Sequence, residues 1–143
     1  MKSYSLVFGQ FFLILLMTLP FGEPVKYFSL GLLLIALGAT FGVLALLKNS
    51  LGNFNIRPDI KEECVLVTSG IYAYIRHPMY TSVLVMMAGV VALYPMRFEY
   101  ILYGLLVLVL LLKLFYEESL WKCESEEYRN YTKTTKRLIP YIF

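Results

Sequence analysis

The chain has one histidine, and it lies in Arg76-His77-Pro78-Met79-Tyr80; two adjacent carboxylates, Glu117 and Glu118, stand well downstream. An imidazole changes charge near neutral pH and can hold or move a proton. A guanidinium recognises carboxylates through a planar fork of donors. Paired carboxylates accept hydrogen bonds from hydroxyl or ammonium groups. Together these types suit the grip of a polar, cationic ligand. A plainer reading stands beside that one: Arg76 and His77 anchor lipid headgroups, Tyr72, Tyr74 and Tyr80 form an interfacial aromatic belt, and the glutamates are a solvated cluster marking the exit of a helix. Residue types alone favour the plainer reading. Cys64 and Cys123 have no CxxC pair and no His partner at ligand spacing, so they read as free thiols, and no metal is expected.

The elements that must position these groups are apolar. The chain is 143 residues long, 59% hydrophobic and only 16% charged, with a mean hydropathy of +0.66. That balance lies outside the soluble globular range and places the chain in a membrane as a single domain spanning residues 1–143. Little length remains for a separate Rossmann module, so helices and loops must hold any cofactor themselves. Crossing about 30 Å of hydrocarbon takes about 17 to 25 apolar helical residues. Four stretches are expected to do so: Tyr4–Phe21, Phe28–Leu47, Tyr80–Met96 and Phe98–Tyr116. The first follows so closely on the start that it could pass for a signal peptide, but no A-x-A site follows, so it is kept as a helix. Gly22-Glu23-Pro24 and the turn around Pro95 join the four as two tight hairpins. The expected fold is therefore all-α and polytopic, with a polar connecting segment and a helical C-terminal tail.

Pro78 disfavours helical geometry at His77 and suits the first turn of the third helix, which puts Arg76 and His77 at a membrane–water boundary. At the other boundary, negative charge on Glu117 and Glu118 at the expected end of the fourth span opposes the macrodipole. Lys113, Lys122 or a bound cationic cofactor is expected to compensate. Gly38 and Gly42 give the second span a small-xxx-small face for close helix approach. Gln10 is read as an interhelical hydrogen-bonding group, and Met79, Met86, Met87 and Met96 as filler. Eleven basic residues, from Lys2 through Arg76 to Arg137, fall on one side of this topology, and only Lys26 and Arg97 on the other. Both termini and the connecting segment are thus expected in the cytoplasm. The net charge of +3 needs no nucleic-acid partner, since an anionic leaflet accounts for it.

Leu66–Tyr80 (LVTSGIYAYIRHPMY), Phe115–Leu120 (FYEESL) and Glu126–Phe143 (EEYRNYTKTTKRLIPYIF) resemble the C-terminal signature of the isoprenylcysteine carboxyl methyltransferase and phospholipid methyltransferase superfamily. That pattern is G-P-Y-x-Y-x-R-H-P-x-Y-x-G, a membrane hairpin, a Glu-Glu pair, then E-Y-x-x-Y closing on I-P. Ile71, Ala73 and Ser82 depart from its Pro, Arg and Gly, and the glycine doublet of the animal phosphatidylethanolamine enzymes is absent. The resemblance implies a membrane methyltransferase using S-adenosylmethionine. By position, His77, Tyr80, Glu117, Glu118 and Arg76 would bind the cofactor, and His77, Arg76 and Glu117 would serve catalysis. It also implies a lipid or lipidated small-molecule acceptor. A second copy of the chain could complete a lipid-facing pocket. Methyl transfer is an in-line displacement governed by alignment; Arg76 or Arg129 could orient a carboxylate acceptor, whereas an amine or thiol would need a base such as His77. Two rivals remain: an NADPH-dependent reductase of the sterol type, which carries a similar R-H-P-x-Y segment, and a non-enzymatic membrane scaffold.

Overall fold

The computed structural model describes residues 2–19, 27–49 and 65–143. The described chain is helical: α1 Lys2–Thr18, α2 Phe28–Lys48, α3 Pro78–Leu93, α4 Arg97–Glu124 and α5 Glu126–Thr134, with a 3-10 turn at Gly70–Ala73 ahead of α3. Among these, α2 and α4 are long and apolar enough to cross a membrane, while α1 and α3 are apolar but shorter. The expected joint at Gly22-Glu23-Pro24, together with Cys64 and most of the connecting segment, lies outside the described residues.

Boundaries follow local chemistry at three places. Proline takes the first turn of α3, and His77 before it is non-helical at φ −121° and ψ 58°. Leu93 ends α3 shortly before Pro95. Ser125 caps α5, its hydroxyl accepting from the Tyr128 amide. The fourth helix differs from expectation. It continues through Glu124 instead of stopping at Tyr116, so Glu117 and Glu118 lie nearly two turns inside it and the expected macrodipole conflict does not arise. The apolar run ends at Tyr116, but helical hydrogen bonding need not end with it.

Packing is arranged with small residues inside. The buried positions of α2 are Gly31, Gly38, Gly42 and Ala45, whereas its Leu33 and Leu47 point outward, as do Phe8 on α1 and Ile101 on α4. Large apolar side chains facing out and glycines facing a neighbour suit lipid, where helices gain by backbone approach rather than by hiding oil from water. A Cβ on Gly38 would lie 2.7 Å from the Met86 amide nitrogen and 2.8 Å from the Ser82 carbonyl oxygen. Ser82, where the resembling signature has Gly, fits this seam by donating to the Gly38 carbonyl at 2.7 Å. The tightest pairs are thus α2 with α3 and α1 with α4, not the sequential partners that two hairpins would make. A core of Leu13, Met17, Met87, Val91, Leu102, Leu106 and Leu110 joins α1, α3 and α4.

The seam makes a direct prediction. Gly38→Val should cost about 2 kcal/mol through overpacking against backbone, seen as a lower melting temperature in detergent. Gly104→Ala should leave it unchanged, because nothing lies within 4 Å of a Cβ there.

Candidate functional site

Segment 74–77 owes its position to the tail. After α5 the chain turns back, and the Arg76 amide donates to the Lys136 carbonyl at 2.8 Å, the His77 amide to Arg137 at 3.0 Å, and the Lys136 amide to Tyr74 at 3.2 Å. These contacts form an isolated parallel bridge between Ile75 and Lys136. Thr81 Oγ1 donates to the Leu138 carbonyl at 2.8 Å, and the Tyr131 hydroxyl donates to the Tyr72 carbonyl. Two segments distant in sequence are stitched together by backbone, which any residue type can supply.

Side chains lock the stitch. Arg76 Nε donates to Glu118 Oε1 at 2.8 Å, with the two side chains only 5% and 3% exposed. Its Nη1 donates to the Thr135 carbonyl and hydroxyl. The other oxygen of Glu118 meets Arg137 Nε at 3.2 Å and Lys122 Nζ at 3.5 Å. Of the two cations expected to compensate the acidic pair, Lys122 does so. Lys113 is instead buried and donates to Gln10 Oε1 at 2.9 Å, the interhelical bond expected of Gln10.

Glu117 has a different setting. Its side chain is 26% exposed, its Oε2 accepts from the Tyr80 hydroxyl at 2.7 Å, and it lines a cavity of about 320 Å³, in the size range of small-molecule sites. Arg76, His77, Tyr80, Tyr72, Trp121, Tyr128 and Tyr131 share that wall. The imidazole stacks on Tyr80 at 5.1 Å between centroids. Its buried Nε2 has no hydrogen-bond partner and lies 3.6 Å from Glu118 Oε1, while Nδ1 is 4.0 Å from Glu117 Oε2. Burial pushes the Tyr128 and Tyr131 phenols up from their usual range, and burial followed by the negative charge of Glu117 raises Tyr72. All three hydroxyls therefore stay protonated at neutral pH.

The structure thus brings His77, Arg76, Tyr80, Glu117 and Glu118 together, as the sequence suggests, but divides their surroundings. Glu118 does not line the cavity; Glu117 does. Arg129 points elsewhere, its Nε donating to the Lys122 carbonyl at 2.7 Å on an exposed face. The structure adds to these an aromatic wall of Tyr72, Trp121, Tyr128 and Tyr131, of which the sequence shows only the E-Y-x-x-Y spacing. Its two tyrosines sit three apart on α5 and so face one way.

A family model described as phospholipid methyltransferase matches residues 26–123. The chain belongs to the phospholipid methyltransferase family. No curated protein and no solved structure matches it. The family is one of membrane methyltransferases, in line with the resemblance read from the R-H-P and Glu-Glu segments. The match begins before α2 and ends before α5, so it covers more of the first half than that signature does and omits the tail that clamps Arg76.

Removing one partner from a buried ion pair strands the other, at about 3 to 5 kcal/mol. Glu118→Gln should therefore loosen the clasp, so that trypsin cleaves after Lys133, Lys136 or Arg137 many times faster than in the parent. Glu126→Gln, on an exposed position of α5, should not change the rate.

Proposed function

We propose that this phospholipid methyltransferase family member transfers a methyl group from S-adenosylmethionine to a membrane-borne amphiphile, with the cavity beside Glu117 as the shared site. The observation carrying this reading is a partly exposed carboxylate, Glu117, set beside the His77 imidazole in the aromatic wall of one cavity.

These residues fit such a cofactor. Its sulfonium and ammonium are cations, which Glu117 attracts and which the faces of Tyr72, Tyr80, Trp121 and Tyr128 also favour. Ribose hydroxyls can donate to Glu117 or to His77, and an adenine ring can stack on a flat aromatic side chain. S-adenosylmethionine would supply an electrophilic methyl group needing no nucleophile from the protein. The protein's task is then alignment and exclusion of water, effects that can lower a barrier by about 7 to 11 kcal/mol when geometry is right.

Residue roles follow from their settings. Tyr80 Oη holds Glu117 through a 2.7 Å bond, fixing the carboxylate toward the cavity. Arg76 and Glu118 act chiefly by holding the tail and the histidine in place. His77 stands with Nε2 toward Glu118 and Nδ1 toward Glu117, so any proton it takes from an amine or thiol nucleophile would enter on the Nδ1 side, a service required only for those acceptors.

In the membrane, all four of α1 to α4 are read as crossing. The shorter α1 and α3 would be accommodated by packing against the longer α2 and α4 and by local thinning. The basic residues around the connecting segment and tail support a cytoplasmic side for the site and both termini. The charged cofactor then arrives from water and the apolar acceptor from the bilayer.

Calorimetry on the purified chain should show S-adenosylmethionine binding, weakened about tenfold or more by Glu117→Gln and unaffected by Tyr74→Phe, whose ring is exposed away from the cavity. Incubation with labelled cofactor and total membrane lipid should label a lipid-soluble product. Binding of NADPH in place of S-adenosylmethionine would overturn the reading.

A further inference from the structure

One ionisable group of the cavity is not used by that reading. Lys113 lies on α4 one turn, about 6 Å, before Glu117, and it is only 3% exposed. It lines the membrane-side end of the cavity together with Gln10, Phe11 and Ile14 of α1 and Tyr80 and Val83 of α3.

The setting of this ammonium is incomplete. Of its three donors, one goes to Gln10 Oε1 at 2.9 Å. The Tyr80 ring lies 5.2 Å from Nζ, and no carboxylate among the described residues comes within the 4.0 Å of an ion pair. Glu117, the acid one turn on, already accepts from Tyr80. A neutral amide and a ring face do not neutralise a cation, and the nearest acid, Glu117, acts on it only through space from one turn away; a buried cation so weakly compensated costs several kcal/mol. If the role were only to tie α1 to α4, a neutral amide or hydroxyl would do it at less cost. Ionisable residues inside membrane bundles that face a cavity ordinarily meet a ligand. Here the cavity supplies both the space and an exit, since Phe11 in its wall is 51% exposed on the outer face of the bundle.

We propose that Lys113, held in place by Gln10, is an anion subsite that binds the carboxylate or phosphate oxygens of the membrane-borne acceptor, whose chain leaves past Phe11, Ile14 and Val83. This rests on the reading of the cavity given above and adds the charge of the acceptor to it. The cytoplasmic end takes a cation beside Glu117 and the membrane-side end takes an anion beside Lys113. The reacting atom of the acceptor would therefore be the anion's own oxygen or a group a few bonds from it.

Trp121 is the chain's only tryptophan and lines the same cavity, so its fluorescence reports occupancy. The full chain in an uncharged maltoside detergent would be titrated with dodecanoate, dodecyl phosphate, dodecanol and inorganic phosphate. The two anionic amphiphiles should bind at least about tenfold more tightly than dodecanol, and inorganic phosphate far more weakly than dodecyl phosphate. Lys113→Gln should abolish the preference for charge, Lys113→Arg should keep it, and calorimetric binding of S-adenosylmethionine should stay within about twofold in both. Equal affinity for dodecanol, a preference that survives Lys113→Gln, or inorganic phosphate binding as well as dodecyl phosphate would each overturn the subsite. If Lys113→Gln does not fold, the comparison of dodecanoate with dodecanol on the unaltered chain still decides. Loss of cofactor binding with the anion preference intact would instead count against the methyltransferase reading and leave the subsite standing.

Discussion

Taking a guanidinium and a carboxylate out of water together is worthwhile only when every remaining donor and acceptor finds a partner. Arg76 and Glu118 come close to that condition: Thr135 of the tail accepts from Nη1 of the guanidinium, and Arg137 of the tail with Lys122 of α4 meets the second carboxylate oxygen. The requirement works in both directions. Without the tail, Arg76 and Glu118 would be left partly unsatisfied, and without that pair nothing charged would hold the tail to segment 74–77. A lysine could not substitute for Arg76, since it offers a point charge where the site uses a fork. From this constraint follows the location of His77, whose amide is pinned to the Arg137 carbonyl, and hence the shape of the cavity it faces.

The rest of the molecule is a membrane frame for that clasp. Glycines of α2 against Ser82 and Gly89 of α3 bring two backbones into direct contact, while bulky side chains face outward. That frame leaves a cavity with unlike ends. Near the tail it is aromatic and acidic, with protonated tyrosines and Glu117; toward the core it is apolar except for Lys113 and Gln10. The proposed joining of a water-soluble cation to a lipid would need such a division, because one wall must compete with water and the other with hydrocarbon.

Much of this was legible from residue order. Pro78 announced the start of α3 and the non-helical His77, because the ring's steric demands act on immediate neighbours. Gly38 and Gly42 announced a close helix contact, and all five proposed site residues do converge. Three features were not legible. The reach of α4 past Glu117 was hidden because the apolar run stops at Tyr116, and hydropathy follows the solvent rather than the backbone. Lys113, counted with the cytoplasmic cations, is buried because α1 offers Gln10 across the bundle, a pairing with no local signature. The clasp itself depends on main-chain bonds between residues 74–77 and 136–137, which side-chain identity does not encode.

The arrangement of His77 and the acidic pair depends most on that clasp being part of the native fold. Hydrogen exchange of the intact chain in detergent measures it directly. The amides of Arg76, His77 and Lys136 should be protected to the same degree and open together, with a free energy approaching that of the α3 and α4 backbone. Exchange of these three amides within seconds, while α3 and α4 stay protected, would contradict the account and leave His77 and the acidic pair without the element that assembles them.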